Sequence, residues 1–147
     1  MRDLGALIGR ILLALIFVLS GLNKITHLGM TAGYMAHAGI AGNLVYPGLI
    51  LSILVELGCG LLVMIGLKAR WAALAIFLWL IPVTLVFHVA GYRHASTAME
   101  AVTQQIMAMK NISMMGGLLL LAGMGPGALS VDGASARSET ANTLRAA

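Results

Sequence analysis

Long apolar segments separated by short polar ones dominate the chain. Four of them, at about residues 4–22, 45–67, 71–90 and 106–124, each contain a single charged or histidine side chain. Each segment is close to the roughly 20 apolar residues that a helix needs to cross a hydrocarbon core of about 30 Å. The pattern therefore predicts an all-α protein, an integral membrane four-helix bundle.

The connections between these spans differ in length. Only residues 68–70 separate the second and third spans, which predicts a tight helical hairpin. Residues 23–44 join the first and second spans, and the weakly amphipathic stretch around Tyr34 and His37 predicts a short interfacial helix.

The end of the fourth span divides the chain into two parts. Residues 125–127 read Gly-Pro-Gly, a combination that stops helices. Residues 1–129 therefore form the predicted membrane domain. Residues 130–147 are polar and rich in small side chains, and we expect them to be a disordered tail.

Composition agrees with a membrane protein. The chain is 60% hydrophobic and 10% charged, with a mean hydropathy of +0.97, whereas a soluble domain is about 25% charged. The nine Lys and Arg are scattered and form no basic face, which argues against a nucleic-acid partner. The single cysteine, Cys59, excludes an internal disulfide and a thiolate metal cluster. The lipid bilayer is thus the one partner that composition indicates.

Positive side chains are unevenly divided between the two sides that the spans define. Cytoplasmic segments of membrane proteins carry the excess of Lys and Arg, and the side holding the termini carries more of them. We therefore expect both termini in the cytoplasm. The residues on that side are Arg2, Lys68, Arg70, Arg137 and Arg145, against Lys24, Arg93 and Lys110 on the other.

Each span carries its ionisable side chain on a helical stripe with small or polar residues. Charged groups inside a bilayer cost roughly 2.5–3.5 kcal/mol each and usually face a bundle interior or a cavity. Four such stripes facing inward predict a polar core. The stripes contain Arg10 and Lys24 in the first span, Ser52 and Glu56 in the second, Thr84 and His88 in the third, and Lys110 in the fourth.

Glu56 is the one carboxylate inside the predicted spans. We expect it to pair with Arg10 or with Lys110, and spacing does not choose between them. Such a pair either fixes helix register or serves a ligand or proton-transfer role. His88 has no second histidine one helical turn away, so the sequence predicts no metal site.

Motifs in a fixed order run from about residue 7 to residue 132. They are Arg10 with Gly21-x-x-Lys24, then Glu56-x-Gly58-x-Gly60, Phe87-His88, Met109-Lys110-Asn111-x-Ser113, and Gly125-Pro126-Gly127-Ala128-x-Ser130-x-Asp132. With these motifs the chain resembles the DoxX family, specifically its small four-span bacterial inner-membrane type. The polar extension after residue 132 is outside the resemblance.

The resemblance implies a multi-pass protein of the bacterial inner membrane. The family takes its name from a thiosulfate:quinone oxidoreductase with a related membrane subunit, and other members are associated with oxidative-stress complexes. Many members have no defined activity, so the resemblance carries over no catalytic residue. It adds Asn111 to the candidate ligand-binding positions, which are Arg10, Lys24, Glu56, His88, Lys110 and Asn111.

Three functions are compatible with this sequence. We favour a non-catalytic subunit or scaffold that serves a redox or oxidative-stress protein partner, because no flavin, nucleotide or haem motif is present and the loops are short. The first alternative is a quinone-linked oxidoreductase subunit, with Lys110, Asn111 and His88 donating hydrogen bonds to the quinone. The second is a small proton-coupled transporter that uses Glu56 and forms a homo-oligomer. No cofactor other than a quinone is indicated, and we expect no catalysis by the chain alone.

Overall fold

The chain folds as a helical bundle in which four helices are long and apolar enough to cross a membrane. The computed structural model describes residues 2–146, and there is no strand among them. The predicted all-α, four-span fold is therefore confirmed. The helices are α1 (Arg2–Thr26), α2 (Leu28–His37), α3 (Gly42–Ile65), α4 (Ala69–Arg93), α5 (Ala98–Met124) and α6 (Val131–Ala146).

The four spanning helices run up and down, so the bundle has two distinct ends. At the terminal end lie the start of α1, the turn between α3 and α4, and α6. At the α2 end lie the close of α1, helix α2 and the turn between α4 and α5. The apolar core between them includes Phe17, Val63, Ile76 and Leu118, all buried. Leucines on the outer faces remain exposed, as lipid-facing side chains should.

Two spanning helices contain a π-helical segment. In α3 it covers Leu54–Cys59, and in α4 it covers Thr84–Val89. Pro82 lies just before the second segment, and a proline inside a helix removes one hydrogen bond and clashes with the carbonyl four residues earlier. Such local widening of a helix often occurs at functional sites.

Two stretches that the sequence analysis did not predict to be helical form helix. Helix α5 begins at Ala98 rather than near residue 106, because Thr97 and Glu100 cap it. The Thr97 hydroxyl accepts a hydrogen bond from the Glu100 amide, and the Glu100 carboxylate accepts one from the Ser96 amide. Residues 131–146, expected to be disordered, form α6, whose first turn is capped by the Ser130 hydroxyl accepting from the Gly133 amide at 3.0 Å.

Helices α1 and α3 approach most closely at Gly21. A Cβ at this position would lie 2.7 Å from the Leu57 Cβ and 2.9 Å from the Leu57 backbone nitrogen. Leu57 is inside the π-helical segment of α3. The missing side chain at Gly21 therefore allows α3 to bring its widened segment against α1.

We expect Gly21→Ala to destabilise the bundle by about 1–3 kcal/mol, since the added methyl forces the two backbones apart. Gly9→Ala, on the same helix, is the matched control. Nothing lies within 4 Å of a Cβ at Gly9, so this change should be neutral or stabilise by up to about 1 kcal/mol. Thermal unfolding in detergent, followed by circular dichroism, measures both, and equal midpoints would contradict the close approach.

Candidate functional site

A cavity of about 410 Å³ occupies the half of the bundle towards the α2 end. All four spanning helices and α2 contribute to its lining, and most of that lining is apolar. Tyr34 of α2 stacks on Phe87 of α4, with ring centroids 5.6 Å apart, so α2 closes this part of the wall. A mostly apolar cavity with a few polar groups is typical of a small-molecule site.

An ion pair between α1 and α3 forms the polar floor of the cavity. The Lys24 Nζ donates to Glu56 Oε2 at 2.5 Å and to the Ser20 hydroxyl at 2.8 Å. The second oxygen of Glu56 accepts from the Ser52 hydroxyl at 2.8 Å. The predicted pairing of Glu56 with Arg10 or Lys110 is therefore wrong. Lys24 starts near the end of α1, and its long side chain reaches Glu56 on the neighbouring α3.

Asn111 is held in place by a short hydrogen-bonded chain. Its Nδ2 donates to the Thr84 hydroxyl at 3.0 Å, and that hydroxyl donates to the Leu80 carbonyl at 2.6 Å. Thr84 is the first residue of the π-helical segment in α4. Both Asn111 and Thr84 are buried, so the amide has a fixed position in the cavity wall.

His88 lies on the same π-helical segment and lines the same cavity. Its Nδ1 forms a hydrogen bond of 2.9 Å with Oε1 of Gln104 on α5. Because the Gln104 oxygen is an acceptor, it selects the tautomer in which Nδ1 carries the proton, if the ring is neutral. The other ring nitrogen is then an acceptor.

Lys110 contributes an unneutralised cation to the cavity. Its Nζ contacts the Met107 sulfur at 3.3 Å and forms no ion pair with the side chains that the structure describes, while the Lys24 and Glu56 charges cancel. A thioether is a weak hydrogen-bond acceptor. The described side chains therefore leave the cavity with a net positive charge and an ammonium group that has capacity for a stronger acceptor.

Trp79 supplies a second candidate donor, and this one has no partner among the described residues. Its indole Nε1 is buried, and among the described side chains it is the one buried nitrogen or oxygen without a hydrogen bond. Leaving a buried donor unpaired costs about 1–3 kcal/mol. The Trp79 side chain contributes to the cavity wall, which makes its unpaired indole N–H a candidate donor to a bound molecule.

Arg10 is the one candidate residue outside the cavity. It is 4% exposed and lies at the terminal end, where its guanidinium donates to three backbone carbonyls. These hydrogen bonds connect α1 to the end of α3 and to the segment that follows α5. Arg10 is thus a structural anchor between three parts of the chain. The acceptors are Met64 at 3.2 Å, Pro126 at 2.8 Å and Leu129 at 3.0 Å.

The Gly-Pro-Gly segment and Asp132 complete this anchor. The Asp132 carboxylate accepts from the amides of Lys68 and Ala69, at 2.8 and 3.0 Å, and so caps the start of α4. The Asp132 amide donates to the Gly66 carbonyl at 2.9 Å. Gly66 has φ +74, a conformation that favours glycine. The motif residues of this end therefore fix the fold rather than line the cavity.

The candidate positions thus separate into two groups. Lys24, Glu56, His88, Lys110 and Asn111 surround one cavity, and Arg10 does not. Arg10 and Lys24 share a helical face but are 14 residues apart, so they lie towards opposite ends of α1.

Trp79 and Gln104 are cavity-associated residues that sequence reasoning missed. A tryptophan inside an apolar span gives no signal beyond packing, and Gln104 falls before the predicted start of the fourth span. Within the part of the chain that the structure describes, no three His, Cys, Asp or Glu side chains converge to hold a metal ion. The arrangement can instead bind an acceptor-bearing molecule through Lys110, Asn111 and Trp79.

Comparison with known proteins agrees with this fold. The DoxX family model matches residues 5–89. Inner membrane protein YqjF of Escherichia coli K12 is 37% identical over 132 residues, covering 90% of this chain and 92% of its own length. Inner membrane protein YphA of the same organism is 32% identical over 132 residues, covering 89% and 90%. No solved structure gives a significant match. This chain therefore belongs to the DoxX family and is a multi-pass integral protein of the inner membrane.

Proposed function

We propose that this protein is the ligand-binding membrane subunit of a redox system and that its cavity holds a quinone-class molecule. The single observation that carries the proposal is Trp79, a residue of the mostly apolar cavity wall whose buried Nε1 has no hydrogen-bond partner among the described residues. A quinone combines an apolar ring with two carbonyl acceptors. Its chemistry matches both the walls of the cavity and the donors in them.

Three donors support carbonyl recognition. Trp79 offers an unused N–H, Lys110 offers an ammonium with only a thioether contact, and the Asn111 amide keeps one of its two N–H groups after bonding to Thr84. A volume of about 410 Å³ falls within the roughly 300–1,000 Å³ of typical small-molecule sites. The rings of Tyr34 and Phe87 add an aromatic wall.

The redox association rests on family resemblance, and the chain's own contribution is to bind and orient the ligand. A protein partner would then supply or receive the electrons, so the subunit role and the ligand role are compatible. We propose that the termini face the cytoplasm, following the excess of Lys and Arg on the terminal side. This orientation puts the cavity in the outer half of the membrane.

Proton-coupled transport is less well supported. Both Glu56 oxygens already accept hydrogen bonds, one from Lys24 and one from Ser52. The Glu56 carboxylate is therefore tied to side chains of α1 and α3, an arrangement typical of an ion pair that fixes how helices pack.

Quinone binding can be measured with the protein's own tryptophans, of which there are two. Trp71→Phe leaves Trp79 as a reporter in the cavity, and we expect saturable quenching of its fluorescence by the short-chain quinone ubiquinone-1. Adding Lys110→Met to that variant should raise the ubiquinone-1 concentration needed for half-maximal quenching by about tenfold. This is the effect expected from losing a hydrogen bond to a charged group.

The matched control is Trp79→Phe, which retains Trp71. Trp71 is 75% exposed at the terminal end, so it should report only the linear quenching caused by quinone dissolved in the detergent or lipid. Equal, non-saturating quenching of both tryptophans would overturn the proposal.

A further inference from the structure

A second concave surface lies at the terminal end, on the opposite side of the bundle from the cavity. This basic groove, about 470 Å³ in volume, is formed by the start of α4, the end of α5 and the start of α6. Lys68, Arg70, Trp71 and Met124 line it. It therefore combines two cationic side chains with two large apolar ones.

Neither cation of the groove forms an ion pair with a described side chain, and with two cations and one carboxylate the groove keeps a net charge of +1. The nearby carboxylate, Asp132, is used by the backbone amides of Lys68 and Ala69. Among the described residues the one ion pair is Lys24 with Glu56, in the other half of the bundle. The side chains of Lys68 and Arg70 are thus available to an anion.

The turn fixes the backbone of Lys68, and Gly125 borders the guanidinium of Arg70. Lys68 has φ +46 and follows Gly66 in a turn that Asp132 ties to the start of α6. The Arg70 guanidinium lies against Gly125, where a Cβ would be only 3.1 Å from Nη2 and 3.2 Å from Nε. The absence of a side chain at Gly125 therefore makes room for Arg70.

The apolar part of the groove indicates what kind of anion fits. Trp71 is 75% exposed and Met124 is 80% exposed, and both lie at the ends of membrane-spanning helices. Tryptophan at such a position sits at the level of lipid headgroups, and an arginine guanidinium matches the geometry of phosphate oxygens. A molecule with a phosphate and an acyl chain would satisfy both parts of the groove.

We propose that the basic groove binds an anionic phospholipid, with the phosphate on Lys68 and Arg70 and the acyl chain along Trp71 and Met124. The groove uses no residue of the quinone cavity, so this site is independent of the proposed function. It would fix the terminal end of the bundle at the headgroup layer of a membrane that contains acidic lipid.

The test uses full-length protein with Trp79→Phe, which leaves Trp71 as the sole tryptophan. The protein is placed in phosphatidylcholine nanodiscs that contain equal fractions of brominated phosphatidylglycerol or brominated phosphatidylcholine. We expect quenching of Trp71 to show a preference for phosphatidylglycerol of roughly fivefold for each cation. Lys68→Asn with Arg70→Gln should abolish the preference, and asparagine is chosen because it tolerates the positive φ.

Three further measurements make the result decisive. Arg93→Gln, which removes an exposed cation at the opposite end, should leave the preference unchanged. Inorganic phosphate at 50 mM should not displace the lipid, and displacement would identify free phosphate as the ligand instead. Native mass spectrometry of the otherwise unaltered chain should retain phosphatidylglycerol, and less of it in the double variant. Equal quenching by the two lipids, or a preference that survives the double variant, would overturn the proposal.

Discussion

Lys24→Met is expected to destabilise the protein by about 3 kcal/mol, the lower end of the range for breaking a buried ion pair. The Glu56 side chain is 9% exposed and the Lys24 side chain 20%. Removing the lysine leaves a carboxylate with only the Ser52 hydroxyl as a partner, inside the bundle. The free energy of unfolding in mixed detergent micelles measures the loss.

The double variant Lys24→Met, Glu56→Gln separates the charge effect from the loss of packing. A neutral amide removes the unpaired charge, so most of the stability should return, since replacing a whole buried pair is often close to neutral. Lys24→Arg keeps the charge and should be the mildest change at this position. A single variant no less stable than the double variant would contradict the described pair.

Arg10→Met is the second large effect that we expect, with a loss of at least about 3 kcal/mol. Three carbonyls, those of Met64, Pro126 and Leu129, would lose their charged donor together. Each unsatisfied buried acceptor costs about 1–3 kcal/mol, and these losses are not independent. Arg10→Lys supplies one donor nitrogen in place of three, so the stability of this variant should lie between that of the unaltered protein and that of Arg10→Met.

The same substitution should loosen the segment that connects α5 to α6. Trypsin cleavage after the exposed Arg137 then becomes several-fold faster in Arg10→Met, because local opening of this segment requires less free energy. Arg93→Gln is the matched control and should shift stability by less than about 0.5 kcal/mol. Unchanged proteolysis together with unchanged stability would mean that Arg10 does not anchor the terminal end.

The spans could be predicted from sequence because hydropathy and length decide whether a segment crosses a bilayer. The early start of α5 was also readable, since Thr97 and Glu100 form a capping pair at the right spacing. Helix α6 was harder to foresee. Its composition is polar, and the contact that ties it down joins Asp132 to amides more than 60 residues earlier.

For the candidate site, the sequence could predict which residues share a helix face, but not which groups they contact. Arg10 and Lys24 are 14 residues apart on one face, which is about 21 Å along an α-helix, so a shared face could not identify the partner of Glu56. The partners of Arg10 are backbone carbonyls, which leave no side-chain signature in a sequence. The role of Trp79 depends on the absence of an acceptor near its indole nitrogen, and only three-dimensional structure reveals such an absence.

The proposed function requires that the cavity be a ligand site. Gly48→Leu should fill it, because Gly48 lines the cavity and a Cβ there meets only the mobile end of Met35, at 3.1 Å. Gly58→Leu on the same helix is the control, since Gly58 is exposed with nothing within 4 Å of a Cβ.

The most direct measurement is native mass spectrometry of the protein extracted gently from its own membrane, compared among these three forms. We expect a retained small molecule of quinone-class mass on the unaltered chain and on Gly58→Leu, and none on Gly48→Leu. An unaltered chain that carries no small molecule, or a molecule retained equally by Gly48→Leu, would contradict ligand binding in the cavity.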